Sequence, residues 1–387
     1  MRRIPTIILC LLFLIFLAPA AARAEGNLHV GQLKINPYVS VNENFSDNIY
    51  YTSTDTKNDS VTTTTPGIRL TLPFRMHQAE LEYYSVFSRY QTYSGEDTTD
   101  YHVGGNVDLK LGSLFAFKLA DRYDKGHEPR GSSSTGFIEQ FHSNAALVSA
   151  SYQVATLSKI QIDYAPASWR FKTSDFRDRD ETAFSGYFYY RFLPKTSAFV
   201  EYDHKTVAYV KTIMDLDNTV DSGQVGLTWE MSARSKGTIK GGMIKKDFSS
   251  SSFGDFNGWA YSADVRHDFT DDTSIMLSGQ RSVNESNLIG NRYFLTTGVF
   301  TELTHKFVRK LAGSVRGSYG EDRYSDVIPP DTAFRIDRTT LLGAGLKYTL
   351  KEWLDFGLDY NSRDRHSNFP SNDYREHSFS AALNISL

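Results

Sequence analysis

From Ile35 to Leu387 the chain alternates apolar and polar residues with period two, and much of the polar set is charged. In Ala79 to Ser88 one set reads Ala79, Leu81, Tyr83, Phe87 and the other Glu80, Glu82, Tyr84, Ser88. Tyr101 to Leu111 sets Tyr101, Val103, Val107, Leu109 and Leu111 against His102, Asn106, Asp108 and Lys110. In Trp259 to Phe269 the apolar residues Trp259, Tyr261, Ala263, Val265 and Phe269 face away from Ser262, Asp264, Arg266 and Asp268. Period two places each set on one side of a β-strand. Three successive charges on a face need water or mutual pairing, which a dry core withholds. A secreted β-sandwich, the main structural rival, would bury its apolar faces in itself. A wide barrel with lipid outside and water inside meets both demands. Such a barrel must close, because an open edge in hydrocarbon leaves amides unpaired at several kcal/mol each.

The connections alternate in length. Eight short turns, such as Leu72 to Arg75, Leu193 to Thr196 and Leu350 to Trp353, separate nine longer polar segments. Among the long ones are Ser46 to Asp59, Ser94 to Asp100, Asp124 to Gly136, Lys172 to Glu181, Asp247 to Gly258, Gly320 to Ile336 and Asn361 to Glu376. That asymmetry predicts an all-β, transmembrane, antiparallel up-and-down barrel with short periplasmic turns and long extracellular loops. It has about 18 strands, or 16 if one hairpin is miscounted. Phe74, Phe115, Phe192, Trp229, Phe269, Phe307 and Trp353 gather at the short-turn side, as an interfacial aromatic girdle would.

The first residues are of another kind. Arg2 and Arg3, an apolar run from Ile7 to Leu17, and the small residues ending in Ala24 form a secretory signal peptide, with cleavage expected between Ala24 and Glu25. The expected organisation is therefore residues 1–24 as leader, 25–34 as a short periplasmic segment and 35–387 as barrel. The single cysteine, Cys10, lies in the leader, so the mature chain has no disulfide framework, thiolate metal site or cysteine nucleophile. Loss of Arg2, Arg3 and Arg23 from the 42 basic residues leaves 39 against 45 acidic, a formal charge near −6. No basic excess points to nucleic acid.

At the other end Phe379, Ala381, Leu383, Ile385 and Leu387 alternate with Ser378, Ser380, Asn384 and Ser386. This resembles the terminal strand by which the barrel-assembly machinery recognises its clients, with Leu387 in place of the usual aromatic residue. Two further stretches carry a family resemblance. Asn44 to Tyr50, with Asp47, Asn48 and Ile49, is followed by Thr65, Pro66, Gly67 and Ile68; Leu193, Pro194, Lys195 and Thr196 lead into Phe199, Glu201, Tyr202 and later Tyr209. Both are similar to the family described as putative β-barrel porin 2. Members are often encoded beside exopolysaccharide loci, so the resemblance implies a role in export of a secreted polysaccharide.

No zinc-type His-Glu-x-x-His run, phosphate loop or nucleophile elbow is present, and no catalytic residue, cofactor or metal is assigned. The candidates are lumen-lining residues: Glu80, Glu82, Tyr84, Asp108, Lys118, Arg122, Asp163, Tyr187, Tyr189, Glu201, Asp203, Lys205, Asp264, Arg266 and Arg316, with Lys240, Lys347 and Asp359 beside them. Glu201, Asp203 and Lys205 either bind a passing solute or pair with neighbours such as Arg191. Tyr84, Tyr187 and Tyr189 either stack on sugar rings or narrow the barrel. Asp175, Asp178, Asp180 and Glu181 either hold a divalent cation or are neutralised by Arg177 and Arg179. Mixed charge argues against a strong ion filter. The reading is a porin-like outer-membrane passage for polysaccharide, with lipid, lipopolysaccharide, the assembly machinery, the polysaccharide and periplasmic export proteins as partners. A general diffusion porin, a surface-exposed structural or binding barrel, and a membrane-embedded hydrolase are the alternatives.

Overall fold

The computed structural model describes residues 28–128, 130–131, 137–211, 215–232, 234–328 and 332–387. The expected leader, with the expected cleavage position between Ala24 and Glu25, lies outside them. Nineteen strands form one antiparallel sheet. They are β1 (Leu28–Val30), β2 (Leu33–Ser46), β3 (Asp59–Phe74), β4 (His77–Tyr90), β5 (Thr98–Leu111), β6 (Phe115–Glu128), β7 (Glu139–Ala155), β8 (Ser158–Phe171), β9 (Arg179–Leu193) and β10 (Thr196–Tyr209). The second half comprises β11 (Asn218–Ser232), β12 (Ser235–Phe248), β13 (Phe256–Asp268), β14 (Thr273–Glu285), β15 (Tyr293–Val308), β16 (Leu311–Tyr324), β17 (Ile336–Lys351), β18 (Leu354–Ser367) and β19 (Tyr374–Ser386). Each strand from β2 to β19 pairs with the next, and β19 returns to β2 through nine register pairs, Ser378↔Ser46 to Ser386↔Tyr38. Eighteen strands therefore close into a barrel. No described helix is long and apolar enough to cross a membrane.

One end carries eight turns of two to four residues and the other nine longer loops, as the spacing predicts. β1 folds back on β2, pairing Leu28 with Ile35, below the point where Leu387 N donates to Pro37 O. The apolar face points outward without protein cover: Val225 is 65% exposed, and Leu81, Val103, Ile162 and Leu342 are likewise exposed. In water such a surface would be an aggregation site, whereas in a bilayer it is the solvated face.

The strands run further into the long-loop end than the sequence pattern reaches. β5 starts at Thr98, β6 continues to Glu128, β16 to Tyr324 and β18 to Ser367, all inside segments expected to be loops. Ladder hydrogen bonding continues past the apolar band, where both faces are wet and the period-two contrast vanishes. These strands have 14 residues, against about 9–11 needed to span a bilayer.

One device recurs at the wet end. In five long loops the last residue is an aspartate whose Oδ1 accepts the backbone N–H of the final residue of the preceding strand. Tyr90 N donates to Asp97 (2.8 Å), Phe171 N to Asp178 (2.7 Å), Tyr209 N to Asp217 (2.7 Å), Phe248 N to Asp255 (3.3 Å) and Ser367 N to Asp373 (2.6 Å). An ionised acceptor supplies the bond that the ladder can no longer provide. Asp178→Ala should lose about 2 kcal/mol of local stability, the worth of a hydrogen bond to a charged group. Hydrogen exchange should speed up in 172–178 while heat-modifiable gel mobility of the barrel stays unchanged.

Candidate functional site: the barrel lumen

Contacts that skip a strand identify the inner face, because side chains can reach over an intervening strand only on the concave side. Lys240 Nζ on β12 lies 2.7 Å from Glu201 Oε2 on β10, Arg316 Nη2 on β16 lies 2.9 Å from Asp359 Oδ1 on β18, and Tyr38 OH donates to Glu82 Oε1 at 2.9 Å from β2 to β4. By alternation that face carries Glu80, Glu82 and Tyr84 on β4, Asp108 on β5, Lys118 and Arg122 on β6, and Asp163 on β8. It also carries Tyr187 and Tyr189 on β9, Glu201, Asp203 and Lys205 on β10, Asp264 and Arg266 on β13, Arg316 on β16, Lys347 on β17 and Asp359 on β18.

The structure does not gather them at one point. Tyr84 on β4 stacks with His102 (4.4 Å, 20°), far round the wall from β9. Tyr187 and Tyr189 lie face to face at 5.9 Å and 19°, and Phe199 of β10 extends the row with its ring 5.3 Å from Tyr189. Lys159 Nζ sits 4.2 Å from the centre of the Tyr189 ring. Phe199 covers Gly226, its register partner on β11, where a Cβ would overlap the ring. Polar groups flank the rings: Gln161 Nε2 donates to Asp163 (3.1 Å), and Ser185 Oγ to Asp203 (2.6 Å). Phe199, Lys159 and Gln161 each lie opposite one of the two tyrosines in the register but are not among the expected lumen residues.

The charges satisfy one another. Arg69 reaches Glu82 at 2.8 Å and Glu80 at 3.4 Å, Arg122 pairs with Asp124 at 2.7 Å, and Lys205 with Glu181 at 2.8 Å. The expected partner Arg191 takes no part in the Glu201 cluster; its Nη2 donates to Thr156 O at the short-turn end. β9 runs past β10 so that Arg191 faces Ser197, four residues below Glu201. In the acid-rich stretch, expected as a loop but with Asp180 and Glu181 already on β9, each carboxylate is engaged. Asp175 meets Lys211, Asp178 caps Phe171 N, Asp180 meets Arg170 and Glu181 meets Arg179 and Lys205. Arg177 crosses instead to Glu128 at 2.7 Å, so it does not neutralise its sequence neighbours. Among the described residues no group of His, Cys, Asp and Glu is placed to hold a metal ion.

Ion pairs also dock the long loops. Arg130 Nη2 contacts Glu96 at 2.7 Å, and Arg292 Nη2 contacts Asp326 Oδ1 at 2.8 Å, joining loop 286–292 to loop 325–335. Burial acts to raise the Asp326 pKa, but the Arg292 and Ser325 bonds outweigh it and hold it below the ordinary range. A depressed folded pKa means the docking is fully present above the unfolded value of about 3.9 and is lost as pH falls below it. Proteolysis of 325–335 should therefore stay flat from neutral pH to about 4 and rise only under stronger acid, in line with that aspartate reference.

A model of the family described as Putative beta-barrel porin 2 matches residues 23–387. The chain belongs to that family. The barrel is an integral protein of the outer membrane, with turns in the periplasm and loops outside. The solved structures it resembles agree in fold. Pseudomonas aeruginosa OpdK with vanillate matches at 11% identity and a TM-score of 0.51, covering 91% of this chain and 99% of that one. Acinetobacter baumannii OccAB3 matches at 8% identity and TM-score 0.50 (92% and 100%), and OccAB2 from the same species at 11% and 0.50 (92% and 98%). No curated protein matches the chain. In this family member the outward aromatics Phe115, Phe192, Phe269, Phe307 and Trp353 are exposed at the periplasmic interface. Tyr101, Tyr202, Trp259, Tyr319 and Tyr360 are exposed nearer the outer one.

Proposed function

We propose that this barrel is a passive, non-enzymatic passage for a neutral, hydroxyl-rich solute, and that the solute is a saccharide chain on its way out of the cell. The observation that carries the reading is the row Tyr187, Tyr189 and Phe199, flanked by Gln161, Asp163, Ser185 and Asp203. Aromatic faces bind the C–H side of a sugar while amides and carboxylates take its hydroxyls. Cross-paired charges leave little net field to select either ion sign. The chain has no nucleotide-binding motif, so transport is driven from elsewhere. Export would begin with cleavage after Ala24 and insertion through the assembly machinery by β19. Lipopolysaccharide phosphates would meet outward basic groups at the outer rim, in the clusters Arg323–Glu321–Arg338 (2.5 and 2.8 Å) and Arg375–Asp364–His366 (2.6 and 3.1 Å).

Liposome swelling tests the reading. Refolded mature protein should admit linear neutral oligosaccharides faster than sugar-free polar solutes of the same mass. Equal rates for both, set by size alone, would favour the general diffusion porin; no swelling with any solute would favour a surface-acting barrel.

A further inference from the structure

The ladder between β13 and β14 is the shortest in the barrel wall. It holds eight register pairs, Asp268↔Ser274 to Tyr261↔Arg281, where the β19–β2 seam has nine and the remaining ladders eleven to fourteen. Above Arg281 the strands part, although each stays paired on its other side: β13 with β12 as far as Phe256↔Lys246, and β14 with β15 as far as Glu285↔Tyr293.

The top of β14 has moved inward. By alternation Glu285 belongs to the lipid face. Yet its carboxylate accepts bonds from Lys246 Nζ on β12, Tyr209 OH at the end of β10 (2.8 Å) and Asn218 Nδ2 on β11 (3.4 Å). These are inner-face groups of strands two to four places away, and the Lys246 side chain is 0% exposed. Tyr293, paired with Glu285, follows: its ring lies 5.4 Å from Phe256 on β13 and 6.2 Å from Phe248 on β12. Arg292 Nη1 donates to Gly254 O at 2.7 Å. The upper ends of β14 and β15 with loop 286–292 are therefore tucked behind β13 in the extracellular mouth. A side chain substitutes for part of the missing ladder, since Arg281 Nε donates to Trp259 O at 3.1 Å.

We propose that this segment is a gate with two seatings: tucked, which narrows the mouth, and zipped onto β13, which clears it. Zipping would extend the existing register through Ala260 with Ser282, Trp259 with Val283, Gly258 with Asn284 and Asn257 with Glu285. Four rungs of ladder would replace the buried ion pair with Lys246, the Tyr209 and Asn218 bonds to Glu285, the Arg292–Gly254 bond and the Tyr293 ring contacts. Breaking the ion pair from the Glu285 side leaves Lys246 buried without its counter-charge, which is strongly destabilising for the tucked seating. The strand pairing needs no new partner. The conductance arm of the test rests on the barrel being a passage; the cross-linking arm does not.

Trp259→Cys with Val283→Cys places a cysteine pair on one rung of the zipped register only. Oxidation in outer membranes should convert it to a reductant-sensitive band of altered mobility, and Glu285→Gln in the same background should speed the conversion at least tenfold. The oxidised barrel should conduct in a planar bilayer at twice the reduced level or more. Failure of the pair to cross-link, both with and without Glu285→Gln, would overturn the gate. So would a cross-linked barrel with unchanged conductance beside an open unmodified one. Should the first pair impair folding, Gly258→Cys with Asn284→Cys reports the adjacent rung. A cross-linked barrel in which no form conducts would leave the strand movement in place and count against the passage.

Discussion

Replacing Tyr187 and Tyr189 together by alanine should weaken oligosaccharide block of the channel by about 30-fold, from about 1 kcal/mol of stacking per ring. The two rings are stacked at 5.9 Å on the inner face of β9, beside the Phe199 ring and the Lys159 ammonium. Salt conductance should stay the same or rise, because removing the rings widens the lumen. Single substitutions should each give about a fivefold loss, consistent with roughly 1 kcal/mol per ring. Tyr84→Ala is the internal control. Its ring stacks on His102, which Asp124 in turn holds, on a part of the wall remote from the β9 row, and block should change by less than twofold. If the double variant is blocked as strongly as the parent protein, the aromatic row only fills space.

The second large effect concerns assembly. Gly242→Val should abolish recovery of the heat-modifiable, folded form. Gly242 is on the inner face of β12 opposite Gln224, and a Cβ there would overlap the backbone carbonyl oxygen of Gly223 on β11. Backbone in the middle of a continuous ladder cannot give way as a flexible side chain can. The cost should reach about 3 kcal/mol or more, the upper range for overpacking. Gly223→Val provides the comparison: a Cβ at Gly223 meets no heavy atom within 4 Å, so this barrel should still fold. Refolding yields in detergent, read by gel mobility with and without heating, separate the two. Equal yields would mean that the β11–β12 ladder can shift to accept a side chain.

The alternation of residue types made the barrel legible because lipid and water impose opposite chemistry on adjacent residues. Glu80, Glu82, Asp264 and Arg266 could be placed on one face for that reason, and the short turns fixed the number of hairpins. The same signal failed where its cause ends. β16 continues to Tyr324 and β18 to Ser367 through Glu321, Arg323, Asp364 and His366, where outward residues are polar because they stand above the hydrocarbon. The aspartates that close the loops were equally present in the sequence, but Asp178 looked like one acid among four. Its role depends on which strand-end amide the loop brings back to it, 2.7 Å away.

Partners within the lumen were less legible than positions. Period two says that Glu201 and Lys240 share a face but not that they meet across β11, since this depends on barrel curvature. The break between β13 and β14 is only hinted at in residue alternation: the outward set Arg281, Val283 and Glu285 carries two charges, which a position above the hydrocarbon would equally explain. It becomes visible only when Glu285 is found against Lys246 and Tyr209.

The most direct test of the passage is single-channel conductance of the refolded mature protein in a planar bilayer, with neutral and acidic oligosaccharides added to one side. Steady conductance with weak ion selectivity, interrupted by brief sugar blocks that Tyr187→Ala and Tyr189→Ala together shorten, is the predicted result. A barrel shown by heat-modifiable mobility to be folded and inserted, yet electrically silent with or without sugar, would contradict it.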